Sequence, residues 1–155
     1  MELKIKKETA KTVYGESPVW FQKVLTETFG EDCFKKIDFN EIKTFDDACK
    51  VCGTTELEFK TRFGNLGLDP DTINYEKVKI IAKAINRGWV PKWDNMDEPK
   101  YYPWFKVSPS GGGFSYSGYS TYSDTSVGSP LCFETSEKAK YAANQFGEIY
   151  NQFLL

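Results

Sequence analysis

The chain has 155 residues, of which 40% are apolar, 27% charged and 16% aromatic, and its formal net charge is −2. That length suffices for one core or two small subdomains, and the near-neutral charge argues against a global attraction to phosphate backbones. Histidine is absent, which removes the commonest general base and the commonest metal ligand, and no apolar run approaches the about 18 residues of a membrane helix.

The opening MELKIKKETAK carries charge without a following apolar core or small-residue cleavage site. It does not read as a signal peptide, so a cytoplasmic protein is expected. Leu3, Ile5, Ala10, Val13 and Tyr14 fit a short strand or a short helix before Gly15, with a helix over 7–14 favoured. Ser17-Pro18 starts a clearer one: Ser17 is a fitting N-cap and Pro18 suits the first helical position. Trp20, Phe21, Val24, Leu25 and Thr28 follow at helical spacing, and Gly30 stops the helix. Cys33, Phe34 and Ile37 fit a helical turn, with a bend at Asp38-Phe39-Asn40.

Thr44 caps a predicted helix over 45–52 that Gly53 ends, and Thr55 caps another over 56–63, closed by Gly64, Asn65 and Gly67. Asp69-Pro70-Asp71 opens a long helix whose apolar face is Tyr75, Val78, Ile81, Ala82 and Ile85; Gly88 ends it and Pro91 prevents its resumption. The composition then changes. Residues 1–99 hold 16 of the 20 Lys and Arg and 18 of the 22 Asp and Glu, and later residues are rich in Ser, Gly and Tyr. A boundary is expected near 94–99, giving a helical subdomain over 1–95 and a second over 96–155, packed as one globule with Trp89 and Trp93 at the joint.

Three strands are predicted beyond it. Residues 101–107 carry Pro103, which suits an edge strand or a bulge. Residues 114–122 begin by alternating Phe114 and Tyr116 against Ser115 and Ser117, with Gly118 allowing a bulge or close backbone approach. Residues 127–134 place Leu131 and Phe133 on one face. Turns at 108–113 (SPSGGG) and Ser123-Asp124 would join them as an antiparallel meander. Thr135 caps a closing helix over 136–153, with Ala139, Ala142, Ala143, Phe146, Ile149, Tyr150 and Phe153 on its apolar face, and this helix covers the sheet. The fold class is α+β: a helical N-terminal portion, then a three-stranded antiparallel sheet packed against a C-terminal helix.

Candidate chemistry is sparse. Cys49 and Cys52 have half of a zinc spacing, but only the isolated Cys33 and Cys132 remain as further thiols. Buried reduced cysteines explain them better than a metal site or a redox pair. The 44–63 helix pair invites a helix-turn-helix reading, yet its second helix brings Glu56 and Glu58 to the end that would face the bases. Gly111-Gly112-Gly113 joins strands and lacks the Lys-Ser/Thr of a phosphate loop. The adjacent Asp46-Asp47 pair reads as helix N-terminal charge.

The aromatic run KYYPWFKV with FSYSGYSTY is the remaining candidate. Trp104, Phe105, Phe114 and Phe133 are assigned to the sheet–helix core. One helix covers one face, so Tyr102, Tyr116, Tyr119 and Tyr122 are the candidate partner-binding residues; exposed tyrosines beside serines resemble paratope chemistry. An unknown protein partner is favoured. Nucleic acid is the alternative, through the 44–63 hairpin or stacking on the strands, and an enzyme ranks third. No catalytic residue, metal, cofactor or membrane contact is expected.

The runs LDPDTINYEKVKIIAKAINRGWVPKWDN, PKYYPWF, GFSYSGY, VGSPLCF and ETSEKAKYAANQFGEIYNQFL resemble uncharacterised small proteins found in phages and prophages of gut bacteria. The resemblance spans residues 68–155. It implies a mobile-element origin and a setting in the host cytoplasm or the virion, with no catalytic residue to carry over. Pro130 departs from the pattern, where an arginine or similar polar residue is expected after Val-Gly-Ser.

Overall fold

The computed structural model describes residues 5–34, 38–107, 113–123 and 129–155, and the chain divides into two units, residues 1–37 and 38–155. The expected turns at 108–112 and 124, Leu3, Ile37 and Val127 lie outside the described residues.

The first unit is a helical hairpin of α1 (Lys7–Tyr14) and α2 (Val19–Phe29), followed by a 3-10 turn at Glu31–Cys33. The Tyr14 ring stacks on Phe34 at 4.1 Å, and its hydroxyl lies 3.2 Å from Thr26 Oγ1. Ala10 and Leu25 are buried. Pro18, not Ser17, takes the N-cap position of α2; the Ser17 hydroxyl instead donates back to the Val13 carbonyl at 2.7 Å.

The second unit opens with a 3-10 turn at Phe39–Glu41, then α3 (Phe45–Val51) and α4 (Glu56–Gly64). Both helices start with reciprocal capping boxes: Thr44 Oγ1 accepts from Asp47 N and Thr55 Oγ1 from Glu58 N, each at 3.1 Å, while the carboxylates of Asp47 and Glu58 accept the cap residues' own N–H groups. These bonds, from Thr44 to Asp47 and from Thr54 and Thr55 to Glu58, hold both carboxyls below the usual range. The long helix α5 (Pro70–Asn86) begins as the Asp-Pro-Asp signal predicts and ends at Arg87, a left-handed residue at φ 52, before Gly88 at φ 85.

Strands β1 (Lys100–Val107) and β2 (Phe114–Tyr122) pair antiparallel. Helices α6 (Ser136–Gln145) and α7 (Gly147–Leu154) follow. Val78, Ile81 and Ile85 of α5 share one core with Phe133, Ala139, Ala142, Phe146 and Tyr150. The boundary expected near residue 95 therefore falls inside the second unit.

Two elements differ from the sequence reading. The sheet has two strands among the described residues, not three. Residues Ser129–Leu131 form a 3-10 turn, and Phe133 alone bridges to Tyr101, with N–H to carbonyl distances of 3.0 and 2.8 Å. The ladder stops there because the chain coils into the 3-10 turn at Ser129–Leu131 before Phe133 and into the Thr135 helix cap after it, and Asn86 holds the segment's far edge. Its Nδ2 donates to the Cys132 carbonyl at 2.7 Å, and its Oδ1 accepts from Glu134 N–H at 3.1 Å. In an extended segment those two groups point away from the bridge, so one buried carboxamide does what a further strand would do. The closing helix is also broken, at Phe146 (φ −112, ψ 25). The break, beside the poor helix former Gly147, lets α6 lay Ala139, Ala142 and Ala143 toward the hairpin while α7 packs on α5 through Tyr75 against Phe153 and an Asn74 Nδ2 bond of 3.0 Å to the Gln152 carbonyl.

Replacing Asn86 with alanine orphans one buried carbonyl and one N–H. Chemical denaturation should show a loss of about 3 kcal/mol, from about 1–3 kcal/mol per unsatisfied group.

Candidate recognition surface

Strand alternation sorts the aromatic residues. The Phe105 ring meets Tyr150 of α7 at 5.0 Å, and Tyr101 and Phe105 pack on the core. Odd positions of β1 therefore face the helices, and Tyr102, Trp104 and Lys106 face away. On β2 the register places Tyr122 opposite Lys100, Ser120 opposite Tyr102 and Gly118 opposite Trp104. Between Trp104 and Phe105 the register shifts. Ser117 is the extra residue, so Tyr116 pairs with Phe105 and turns to the helix side.

The four predicted tyrosines consequently do not share a face. Tyr102 and Tyr122 lie on the outer face, their rings 5.9 Å apart in a T-shaped pair. Tyr116 lies on the helix side against Phe105 at 6.4 Å, half-buried, and burial with the neighbouring Tyr119 raises its phenol pKa. Tyr119 is also on the helix side, edge-on to Tyr101 at 5.5 Å, but reaches past the helices into solvent.

Trp104 departs from its expected core position: it is 53% exposed. Its neighbour Phe105 holds the inward position, and adjacent residues of a strand point to opposite faces. Phe133 is fully buried, Phe105 packs on the core and Phe114 is half-buried. The outer face thus presents Trp104 and Tyr122, the last 56% exposed, with Tyr102 half-buried beside them and Lys106 as the solvent-exposed cation of the two strands among the described residues. Fixing Phe105 inward was the signal in the sequence that would have put Trp104 on this surface.

Lys100 belongs to the same face and is nevertheless fully buried. Its ammonium donates to the carbonyls of Lys92 at 2.7 Å and Asn95 at 3.0 Å, lies 3.7 Å from Glu98 Oε1 and sits 5.5 Å from the Trp93 ring. One cation thereby ties down the loop that follows α5 and makes it a border of the aromatic face.

The other candidates are structural in geometry. All four cysteines are free thiols. Cys49 and Cys132 are buried, and burial pushes each thiol up to about 11; burial also raises Cys52, whose Sγ lies 3.6 Å from the Ile80 carbonyl. Among the described residues no group of three or more His, Cys, Asp or Glu is placed to hold a metal ion. In the 44–63 pair, Phe45 and Phe59 meet at 5.0 Å, Asp46 accepts the Glu56 N–H at 3.0 Å, and Glu56 is ion-paired to Lys60 at 2.6 Å. A shallow groove between the start of α3 and the α6–α7 break has Lys43 and Glu148 as its ionisable liners. No described helix is long and apolar enough to cross a membrane. No protein-family model, curated protein or solved structure matches the chain.

The folded thiols keep protons that unfolded thiols, with a usual value of 9.0, release. Stability contributed this way is complete below about pH 9 and is lost as pH rises toward about 11. Mass-resolved alkylation at pH 8 should label Cys49 and Cys132 only after denaturant is added; rapid labelling of either in the native protein would show an accessible, reactive thiol.

Proposed function

We propose that this is a phage- or prophage-encoded accessory protein, without a catalytic role, that binds a protein partner through the outer face of its hairpin. The observation that carries this reading is the exposure of Trp104 and Tyr122 on paired strands, beside Tyr102, on the face turned away from the helices. Large amphipathic rings held on a rigid sheet supply contact area at low entropic cost and are the residue types that dominate protein interfaces. The strand FSYSGYSTY carries no charge, and Lys106 alone gives little attraction for a phosphate backbone, so a protein partner suits this face better than nucleic acid.

Affinity capture from host lysate with the wild-type chain, Trp104→Ala, Tyr122→Ser and Tyr116→Ser tests it. The first two variants should keep the wild-type melting temperature and lose the partner. Tyr116→Ser, on the helix side, should lower the melting temperature instead. Retention of every captured protein by Trp104→Ala, or a salt-sensitive DNA shift abolished by the same change, would overturn the reading.

A further inference from the structure

The loop after α5, residues 88–99, is hydrogen-bonded to the hairpin through one side chain, and we infer that it is a latched flap over the Lys100 end of the sheet. Lys100 occupies an outward position of β1, opposite Tyr122, yet is fully buried. Its ammonium is enclosed by the loop: the Lys92 and Asn95 carbonyls at 2.7 and 3.0 Å, Glu98 Oε1 at 3.7 Å and the Trp93 ring at 5.5 Å. Among the described residues, the hydrogen bonds of residues 90–98 run either to Lys100 or within the loop itself. The Asn95 N–H donates to the Lys92 carbonyl and the Glu98 N–H to the Asn95 carbonyl, each at 3.3 Å. The Lys92 N–H donates to Glu98 Oε1 at 2.9 Å and the Asp97 N–H to Asn95 Oδ1 at 3.0 Å. The loop therefore keeps its own stitching when the Lys100 bonds break, and it moves as one piece.

The apolar contacts favour the same device. Val90 and Met96 are exposed, and Trp93 is half-buried and lies outside the core shared by α5, the hairpin and the closing helices. Segments with few buried apolar contacts open at a fraction of the global unfolding free energy. At one end of the loop Gly88, at φ 85 and with nothing within 4 Å of a Cβ built on it, has the backbone freedom of a pivot. At the other end Pro99 has no N–H to add to the ladder. A buried ammonium withdrawn from its carbonyls must be solvated by water instead, so the latch has a closed state and an open one with no stable position between. Opening returns the Lys100 ammonium to the outer face beside Tyr122, where Lys106 is otherwise the exposed cation of the two strands. The loop thus sets the charge of that face.

Site-resolved acetylation of the full chain with an amine-reactive reagent, with thiol alkylation of Cys49 in the same sample, tests this below the unfolding transition. Lys100 should acetylate in the native protein, more slowly than the exposed Lys92 and Lys106, while Cys49, buried on α3, stays unlabelled. The Lys100 rate should hardly change with denaturant before the transition, because opening the loop exposes little surface. Glu98→Ala and Trp93→Ala each remove one contact to the ammonium and should speed Lys100 acetylation at least about threefold, with Cys49 still protected. Labelling of Lys100 only in step with Cys49 would show that the loop opens only on global unfolding, and would overturn the inference. So would labelling as fast as that of Lys106, which would mean no latch, or an unchanged rate in both variants, which would put the latch elsewhere. The wild-type comparison of Lys100 with Cys49 needs neither variant to fold, and no partner is present, so the flap stands or falls separately from the partner-binding reading.

Discussion

Three consecutive backbone units, Cys132 to Glu134, hold the second unit together. On one side Phe133 exchanges two hydrogen bonds with Tyr101 of β1; on the other, the carbonyl of Cys132 and the N–H of Glu134 are gripped by the Asn86 carboxamide at the end of α5. The Phe133 ring is wholly buried in the shared core. A two-stranded hairpin is marginal in water by itself. Here it is bonded, through one residue, to the longest helix of the chain.

The character of the sheet's two faces follows from that anchoring. Once Tyr101 is fixed to Phe133 and Phe105 to Tyr150, alternation fixes Tyr102 and Trp104 outward, with no freedom to slip by one residue. Lys100 then meets the carbonyls of the loop after α5. A buried ammonium needs such partners, and satisfying it holds the loop beside the rings. On β2 the bulge does the opposite of what simple alternation would do, turning Tyr116 inward while Tyr122 stays out. The inward set supplies stability, and Trp104 and Tyr122 of the outward set are left to solvent.

Much of this was legible in the sequence because it is local. Thr44, Thr55 and Thr135 each precede a helix and each accepts the expected backbone N–H. The Asp-Pro-Asp start of α5 and the helix over 7–14 also stand where patterning puts them. What was not legible depends on tertiary competition. The segment ending in Leu-Cys-Phe has strand composition, but Ser129–Leu131 coil into a 3-10 turn and Thr135 already caps α6, so Phe133 is the residue that bridges, while Asn86, forty-six positions away, holds the segment's far edge. The apolar spacing across 136–153 is continuous, yet α6 and α7 answer to different neighbours and the helix breaks at Phe146. Composition counts rings without their direction, so it does not separate Tyr116 and Tyr119 from Tyr102 and Tyr122. Large rings usually are buried, which points Trp104 inward until Phe105 is placed.

The division of the hairpin into a packed side and a recognition side is the claim on which the functional reading stands. Hydroxyl-radical footprinting of the native chain, resolved residue by residue, measures it directly. Trp104 and Tyr122 should oxidise at rates near those in the denatured chain, while Phe105, Phe133 and Tyr150 stay protected. Protection of Trp104 to the level of Phe133 would mean that the outer face is covered, and would contradict it.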